Sequence, residues 1–378
     1  MEQTRIKAAF YRGGTSNAVI FKESDLPASR AARDRMFLHI MGSPDANGRQ
    51  LDGMGGGLSS VSKVVIVGPS NTPNADVDYT FVQVSVDKPA TDYSGMCGNM
   101  SSAVGPFAVE EGLVTRPDGP AMVRVRNTNT NKFFHARFDV QGGHAVEQGD
   151  FAIPGVSGTG AKIQLDYLEP GGAVTGKLLP TGSALDTLQI PGVGAIEASL
   201  VDASNPVVFV RASDLDLTGA EAPADLDNQT KAMAQLDHIR RTASVAMGMS
   251  ETPEQAALSN PKIAIVGAPQ RFTSLDGAVH DQDSFDLSIR IISMENCHRA
   301  ITLTGALCVA VAAQIKGSLV QQFAPNGNAI RIGNPSGVLP VQADVEYGPD
   351  GPTARSATAF RTQRRIMEGT VLCPQDLL

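Results

Sequence analysis

The sequence predicts an α+β protein of two pseudo-symmetric domains, residues 1–190 and 191–378, each a curved antiparallel β-sheet or barrel around a central helix. Three observations carry this expectation. The chain repeats itself once, each half is built from short β-rich stretches, and each half holds one helix that is apolar all round.

The duplication is legible residue by residue. GGTSNAVIFKESDL at 13–26 is answered by DASNPVVFVRASDL at 202–215, each running Ser-Asn, alternating apolar residues, then Ser-Asp-Leu. SKVVIVGP at 62–69 is answered by PKIAIVGAP at 261–269, and VRVRNTNT at 123–130 by IRIGNPSG at 330–337. Between them, CGNMSSAVGPFAVEEG from Cys97 to Gly112 matches TLTGALCVAVAAQIKG from Thr302 to Gly317. Order is kept while the offset grows slowly, from 188 to 207 residues. A period that long marks a duplicated domain rather than a solenoid.

The strands follow from AVIF, KVVIV and DYTFVQVSV in the first half, and from VVFV, KIAIV and DLSIRIIS in the second. These are β-branched runs bounded by Gly, Pro and Asn. SSAVGPFAVEEG and GALCVAVAAQIKG read as helices buried on every side. A second helix per half, near ARDRMFLHIM and QTKAMAQLDHIRRTASVAM, carries charge on one face and belongs outside, with Asp237, His238 and Arg240 on its solvated side. The 38 Gly and 23 Pro residues imply many turns, and 150–185 reads as hairpins leading to the inter-domain connection.

Composition excludes several functions. A net charge of −8 argues against a nucleic-acid partner, and 5% aromatics with no Trp argue against a stacking platform. Four cysteines without a CxxC pair and six histidines without ligand spacing give no metal site. MEQTRIKAAFYRGG lacks a signal pattern, and no apolar run reaches the ~18 residues of a membrane span. The expectation is a cytoplasmic protein.

The candidate chemistry lies at the two buried helix starts, Cys97-Gly98-Asn99-Met100 and Thr302-Leu303-Thr304-Gly305. A helix's first turn has unpartnered N–H groups and positive potential, so an anion is its natural guest. Packed about a pseudo-twofold, the two starts would face one cleft and hold carboxylates there. Cys97 sits where a helix start lowers a thiol pKa, although a cysteine is more often a small buried residue. Lys63 opens an apolar strand. A lysine there ordinarily reaches water by its stem; desolvated, it would serve as a base, which requires depression from ~10.4 toward ~7–8. GVSGTGAK at 155–162 imitates a phosphate loop without its Ser or Thr and reads as a hairpin turn. Cys297-His298 cannot form a thiol–imidazole pair if adjacent strand residues face opposite ways.

At Cys97-Gly98-Asn99 the sequence resembles the diaminopimelate epimerase fold, and in detail it resembles the PrpF family. The resemblance runs through YRGGTSNAVIF, MGSPDANGRQLDGMGGGLSSVSK, DVDYTFVQVSVDKP, SGMCGNMSSAVGPFA, VRNTNT, GKLLPTG, DASNPVVFV, NPKIAIVGAP, HRAITLTGA and IGNPSG. Asn17 departs from it, standing where the pattern RGGTSKG has Lys.

That resemblance implies an isomerase without cofactor, moving a proton in an unsaturated di- or tricarboxylate. The leading substrate is 2-methylaconitate, in propionate catabolism, with 4-oxalomesaconate tautomerisation, methylitaconate isomerisation or mere carboxylate binding as alternatives. Lys63 is expected as the base, with the Cys97 thiol beside it. Helix-start groups of Gly98, Asn99, Met100, Thr304, Gly305 and Ala306 would hold one carboxylate, and Ser16, Asn17, Ser62, Asn205 and Ser336 the others. Aligning the halves sets Cys97 opposite Thr302, so a two-thiol racemase is disfavoured. Beyond the small-molecule substrate, a homodimer and a functional link to an iron–sulfur hydratase are open partner readings.

Overall fold

The structure, a computed structural model, describes residues 3–293, 295–324 and 329–378. Met1 and Glu2, which open the stretch read above for a signal, lie outside them. The chain divides into two compact units, Met1–Tyr167 with Phe360–Leu378, and Leu168–Ala359. This differs from a single division at 190/191. The strand Ile163–Leu168 pairs back into the first unit, Tyr167 opposite Phe134. The C-terminal strand Gln363–Pro374 lies antiparallel to the first strand, from Gln3 opposite Pro374 to Gly13 opposite Gln363. Pairing between chain ends leaves no local signal, so this division is not marked along the sequence.

In the first unit the core strands are β1 (Gln3–Gly13), β2 (Ser16–Lys22), β3 (Lys63–Pro69), β4 (Val77–Val84), β5 (Gly119–Asn127) and β6 (Lys132–Gln141). Their successive pairings are antiparallel, parallel, antiparallel, parallel and antiparallel. The second unit has β7 (Gly194–Ala203), β8 (Asn205–Arg211), β9 (Lys262–Gly267), β10 (Leu287–Ser293), β11 (Ala329–Asn334) and β12 (Gly337–Gly348). It repeats the same five pairings in the same order. The α+β class and the two diaminopimelate epimerase-like halves are therefore as expected, but the sheets are mixed rather than purely antiparallel. Each parallel step is bridged by a helical crossover, as parallel strands require.

Those crossovers carry the helices. Helix α1 (Arg30–Met41) bridges β2 and β3, is capped by Ser29, ends at Gly42 in the left-handed conformation (φ 71°), and buries Met36, Phe37 and Ile40. There they join Val19, Phe21, Val64, Ile66 and Val82. Helix α2 (Ser101–Glu110) bridges β4 and β5 and is buried from Ser101 to Val109. Gly105 lets it approach β6 closely, since a Cβ there would meet the Phe138 ring at 2.7 Å and Ala136 at 2.9 Å. In the second unit, α3 (Thr230–Ala246) lies outside with Leu236 and Ile239 turned inward. Its Arg240 is a correction: the side chain is buried and donates to Asp237 and to the Ala257 carbonyl instead of facing water. Helix α4 (Leu303–Gln314) is buried from Gly305 to Ala313.

The C-terminal strand is fastened to α2 by ions. Arg365 reaches Glu110 at 3.0 Å and Glu111 at 2.6 Å, and Lys7 reaches Glu111 at 2.8 Å. Burial works against the charged Glu111 carboxylate, yet hydrogen bonds from Lys7 and Arg365 hold its pKa below the usual value. Removing one member of such a buried network leaves uncompensated charge. Arg365→Ala should lower the unfolding free energy by about 3 kcal/mol, read by urea denaturation. A carboxyl with depressed folded pKa stabilises above its unfolded pKa and loses that contribution as pH falls through the folded value. The gap between wild type and variant should therefore shrink on acidification.

Candidate active site

The first i→i−4 bond of α2 runs from the Ser101 N–H to the Cys97 carbonyl (3.0 Å), and that of α4 from the Ala306 N–H to the Thr302 carbonyl (2.8 Å). Cys97 and Thr302 thus hold equivalent positions, as the alignment of the halves requires. Two further donors fix the Cys97 carbonyl, Tyr79 Oη and Ser101 Oγ, each at 3.1 Å. Tyr167 Oη donates to the Gly98 carbonyl at 3.5 Å. Asn99 is held on three sides. Its carbonyl accepts from Ser102 Oγ at 2.7 Å, its Nδ2 donates to Thr15 Oγ1 at 3.0 Å, and its Oδ1 accepts from Arg361 Nε at 3.2 Å. The turn after β1 must pass over this side chain: at Gly14 (φ +53°) a Cβ would lie 2.5 Å from Asn99 Oδ1.

Backbone anchoring on carbonyls leaves the first-turn N–H groups of Gly98, Asn99 and Met100 without intrahelical partners, the arrangement that binds anions. Cys97 heads that turn and is half-buried, whereas Cys297, Cys308 and Cys373 are buried. Met100 contributes backbone alone, because its side chain is fully enclosed.

Lys63 begins β3 opposite Gln83, and its Nζ donates to Gln83 Oε1 at 2.5 Å. Gln83 is itself fixed by its Nε2, which donates to the Ser62 carbonyl at 2.9 Å and to the Ser59 carbonyl at 3.0 Å. The Phe81 ring lies 5.2 Å from the ammonium. Lys63 is 7% exposed, and burial lowers its pKa, opposed by the charge of a Cys97 thiolate. The two groups therefore share one electrostatic neighbourhood. Among the described residues no carboxylate pairs with Lys63, so nothing else restores its usual basicity.

The remaining sequence candidates separate. Ser62 is fully buried, donates to the Val84 carbonyl and accepts from Gln50 Nε2 at 2.8 Å. It ties the loop before β3 to the sheet, its hydroxyl engaged on both sides. Ser16 is buried and Asn17 half-buried at the start of β2, opposite Gly13 and Arg12. In the second unit, the Gly305 N–H is taken by Thr302 Oγ1 (3.2 Å) and that of Ala306 by the Thr302 carbonyl. Both amides are thus engaged within the helix start, whereas among the described residues that of Thr304 has no acceptor. Ser336 Oγ donates to the Arg299 carbonyl at 2.7 Å, and Asn205 Nδ2 to the Pro206 carbonyl at 3.1 Å. Lys262, the counterpart of Lys63, donates to Ser293 Oγ and the Ser259 carbonyl. Tyr79, Tyr167, Gln83 and Arg361 escaped the sequence reading, since each reaches the Cys97–Lys63 region through tertiary contact.

Comparison with known proteins gives these observations a context. The family profile described as "PrpF protein" matches residues 3–374. The chain is 40% identical to "3-methylitaconate isomerase" of Eubacterium barkeri, over 98% of this chain and 97% of that protein. It is 37% identical to "2-methyl-aconitate isomerase" of Shewanella oneidensis, over 99% and 98%. A crystal structure of methylitaconate-delta-isomerase matches with a TM-score of 0.93 and 38% identity, covering 100% of this chain and 97% of the other. Fold and relatives define an isomerase. The chain belongs to the PrpF family, over nearly its whole length.

Thiol chemistry should separate Cys97 from the other cysteines. Burial pushes Cys297 up to about 12 and raises Cys308 and Cys373 as well. A disulfide reagent should therefore titrate one thiol quickly in the native protein and four after unfolding, and Cys97→Ser should abolish the fast one.

Proposed function

We propose that the protein catalyses an allylic proton shift in an unsaturated di- or tricarboxylate, with 2-methylaconitate as the first substrate to consider. Lys63, as the neutral amine, removes the acidified C–H. Charge delocalises through the double bond into a carboxylate that faces the first-turn N–H groups of Gly98, Asn99 and Met100. Fixed donors aimed at developing charge are effective because they need no reorganisation. The proton returns to the same or another carbon from Lys63 or from the Cys97 thiol. The observation that carries this reading is Lys63 itself, a buried amine with no acidic partner among the described residues, in the electrostatic neighbourhood of Cys97 at the start of α2.

A second substrate, 3-methylitaconate, is supported by the 40% identity to the Eubacterium barkeri enzyme and by the TM-score of 0.93. Four free thiols fit a reducing, cytoplasmic location. Among the described residues no helix is long and apolar enough to cross a membrane.

Turnover in D2O should wash deuterium into the substrate's allylic position, and a screen over methylaconitate, methylitaconate, aconitate and oxalomesaconate identifies the substrate. Lys63→Met should lose at least about a thousandfold in kcat/KM, in the range expected for a general base. Unchanged turnover would remove lysine from that role. Because burial lowers the Lys63 pKa, the free base is available at lower pH than for an ordinary lysine. The kcat/KM profile should rise with pH and reach its plateau below the 10.5 of a free amine.

A further inference from the structure

The start of α2 is flanked by two buried polar side chains that have no structural task equal to their cost. Arg361 is 8% exposed. Its Nε donates to Asn99 Oδ1 at 3.2 Å and its Nη1 to the Phe360 carbonyl at 2.8 Å. Among the described residues no carboxylate pairs with it. The contrast with Arg365, four residues on and bound by three carboxylates, is direct. A buried guanidinium without a counter-ion is expensive to keep. Burial lowers its pKa, and the charge of Cys97 acts on it in the opposite sense, so the guanidinium lies in the electrostatic neighbourhood of the thiol.

Gln363 supplies an independent observation. It is 2% exposed, and among the described residues neither its Oε1 nor its Nε2 finds a hydrogen-bond partner. Its direction follows from the sheet. Gln363 is paired with Gly13, and residues directly opposite in an antiparallel pair project to the same face. A Cβ on Gly13 would point at the Asn99 carbonyl oxygen, 2.8 Å away, and at Met100. The Gln363 side chain is therefore aimed at the first turn of α2, where Arg361 also meets Asn99. Two residues further along the same face, Tyr11 and Arg365 bind Glu110 near the helix's other end.

We infer that Arg361 and Gln363 form the receptor for one carboxylate of the substrate, beside the N-terminal turn of α2. The inference rests on the reading of the protein as a carboxylate isomerase and adds the residues that set its anion specificity. The guanidinium Nη2 and the amide Nε2 donate to the carboxylate. Both side chains bind and position; neither takes part in proton transfer.

The test uses propane-1,2,3-tricarboxylate, a saturated probe that cannot isomerise, so binding is measured apart from chemistry. Calorimetry should show the probe bound by the wild type and by Lys63→Met alike. Arg361→Met and Gln363→Leu should each weaken it at least about tenfold, as loss of a charge-assisted or buried hydrogen bond requires. Free Gln363→Leu should melt no lower than the wild type, because it removes buried polarity without a partner among the described residues, whereas free Arg361→Met also gives up the bonds to Asn99 and the Phe360 carbonyl and should melt lower. Gln363→Glu places a carboxylate beside Arg361 and should raise the melting temperature while excluding the probe. In turnover, Arg361→Met should act mainly on KM. Full-strength probe binding by Arg361→Met and Gln363→Glu, or no binding by the wild type, overturns the inference. Loss of deuterium exchange with probe binding intact would instead overturn the proton-transfer reading and leave the receptor standing.

Discussion

A helix buried on every side must satisfy the polar groups of its first turn from within the fold, and in the first unit this requirement organises the site. Three donors converge on the Cys97 carbonyl, and the Asn99 side chain bridges Thr15 and Arg361. The hairpin between β1 and β2 can lie across that turn because Gly13 and Gly14 have no side chain to collide with Asn99. With carbonyls and side chains spoken for, the amides of Gly98, Asn99 and Met100 keep no acceptor among the described residues. The same packing that fixes the helix therefore leaves it able to receive an anion.

Duplication supplied two such helices, and the second is closed by its own sequence. Thr302 caps α4 through its hydroxyl, taking the Gly305 N–H, whereas α2 has no side-chain cap among the described residues and a cysteine at the equivalent position. Lysines begin the equivalent strands in both units, but Lys262 is tied to Ser293 and the Ser259 carbonyl, while Lys63 meets a glutamine under an aromatic ring. Identical strand order has thus been kept while the titratable chemistry became one-sided. A thiol on one unit and a threonine on the other is incompatible with a symmetric two-thiol mechanism and compatible with a single basic amine.

The C-terminal strand and the residues just before it meet α2 near both of its ends. Its pairing with β1 brings Arg365 against Glu110 and Glu111, a dense ion cluster at the far end of α2. The near end receives Arg361 and Gln363, whose polar atoms are poorly satisfied. Charge pairing thus concentrates at one end of α2 and sparsely bonded polar groups at the other.

The sequence by itself determined the duplication, the buried helix of each half, the register that sets Cys97 against Thr302, and the lysine at the mouth of an apolar strand. These are properties of local pattern: periodicity, capping residues and the order of motifs along the chain. Tertiary structure alone decided the unit boundaries, the mixed pairing of the sheets, and the hydrogen bonds that engage Ser62 and the Gly305 and Ala306 amides. It also brought Tyr79, Tyr167, Arg361 and Gln363 to the helix start, some from hundreds of residues away. Strand pairing and hydrogen-bond saturation depend on which distant groups meet, and no spacing within a segment encodes that.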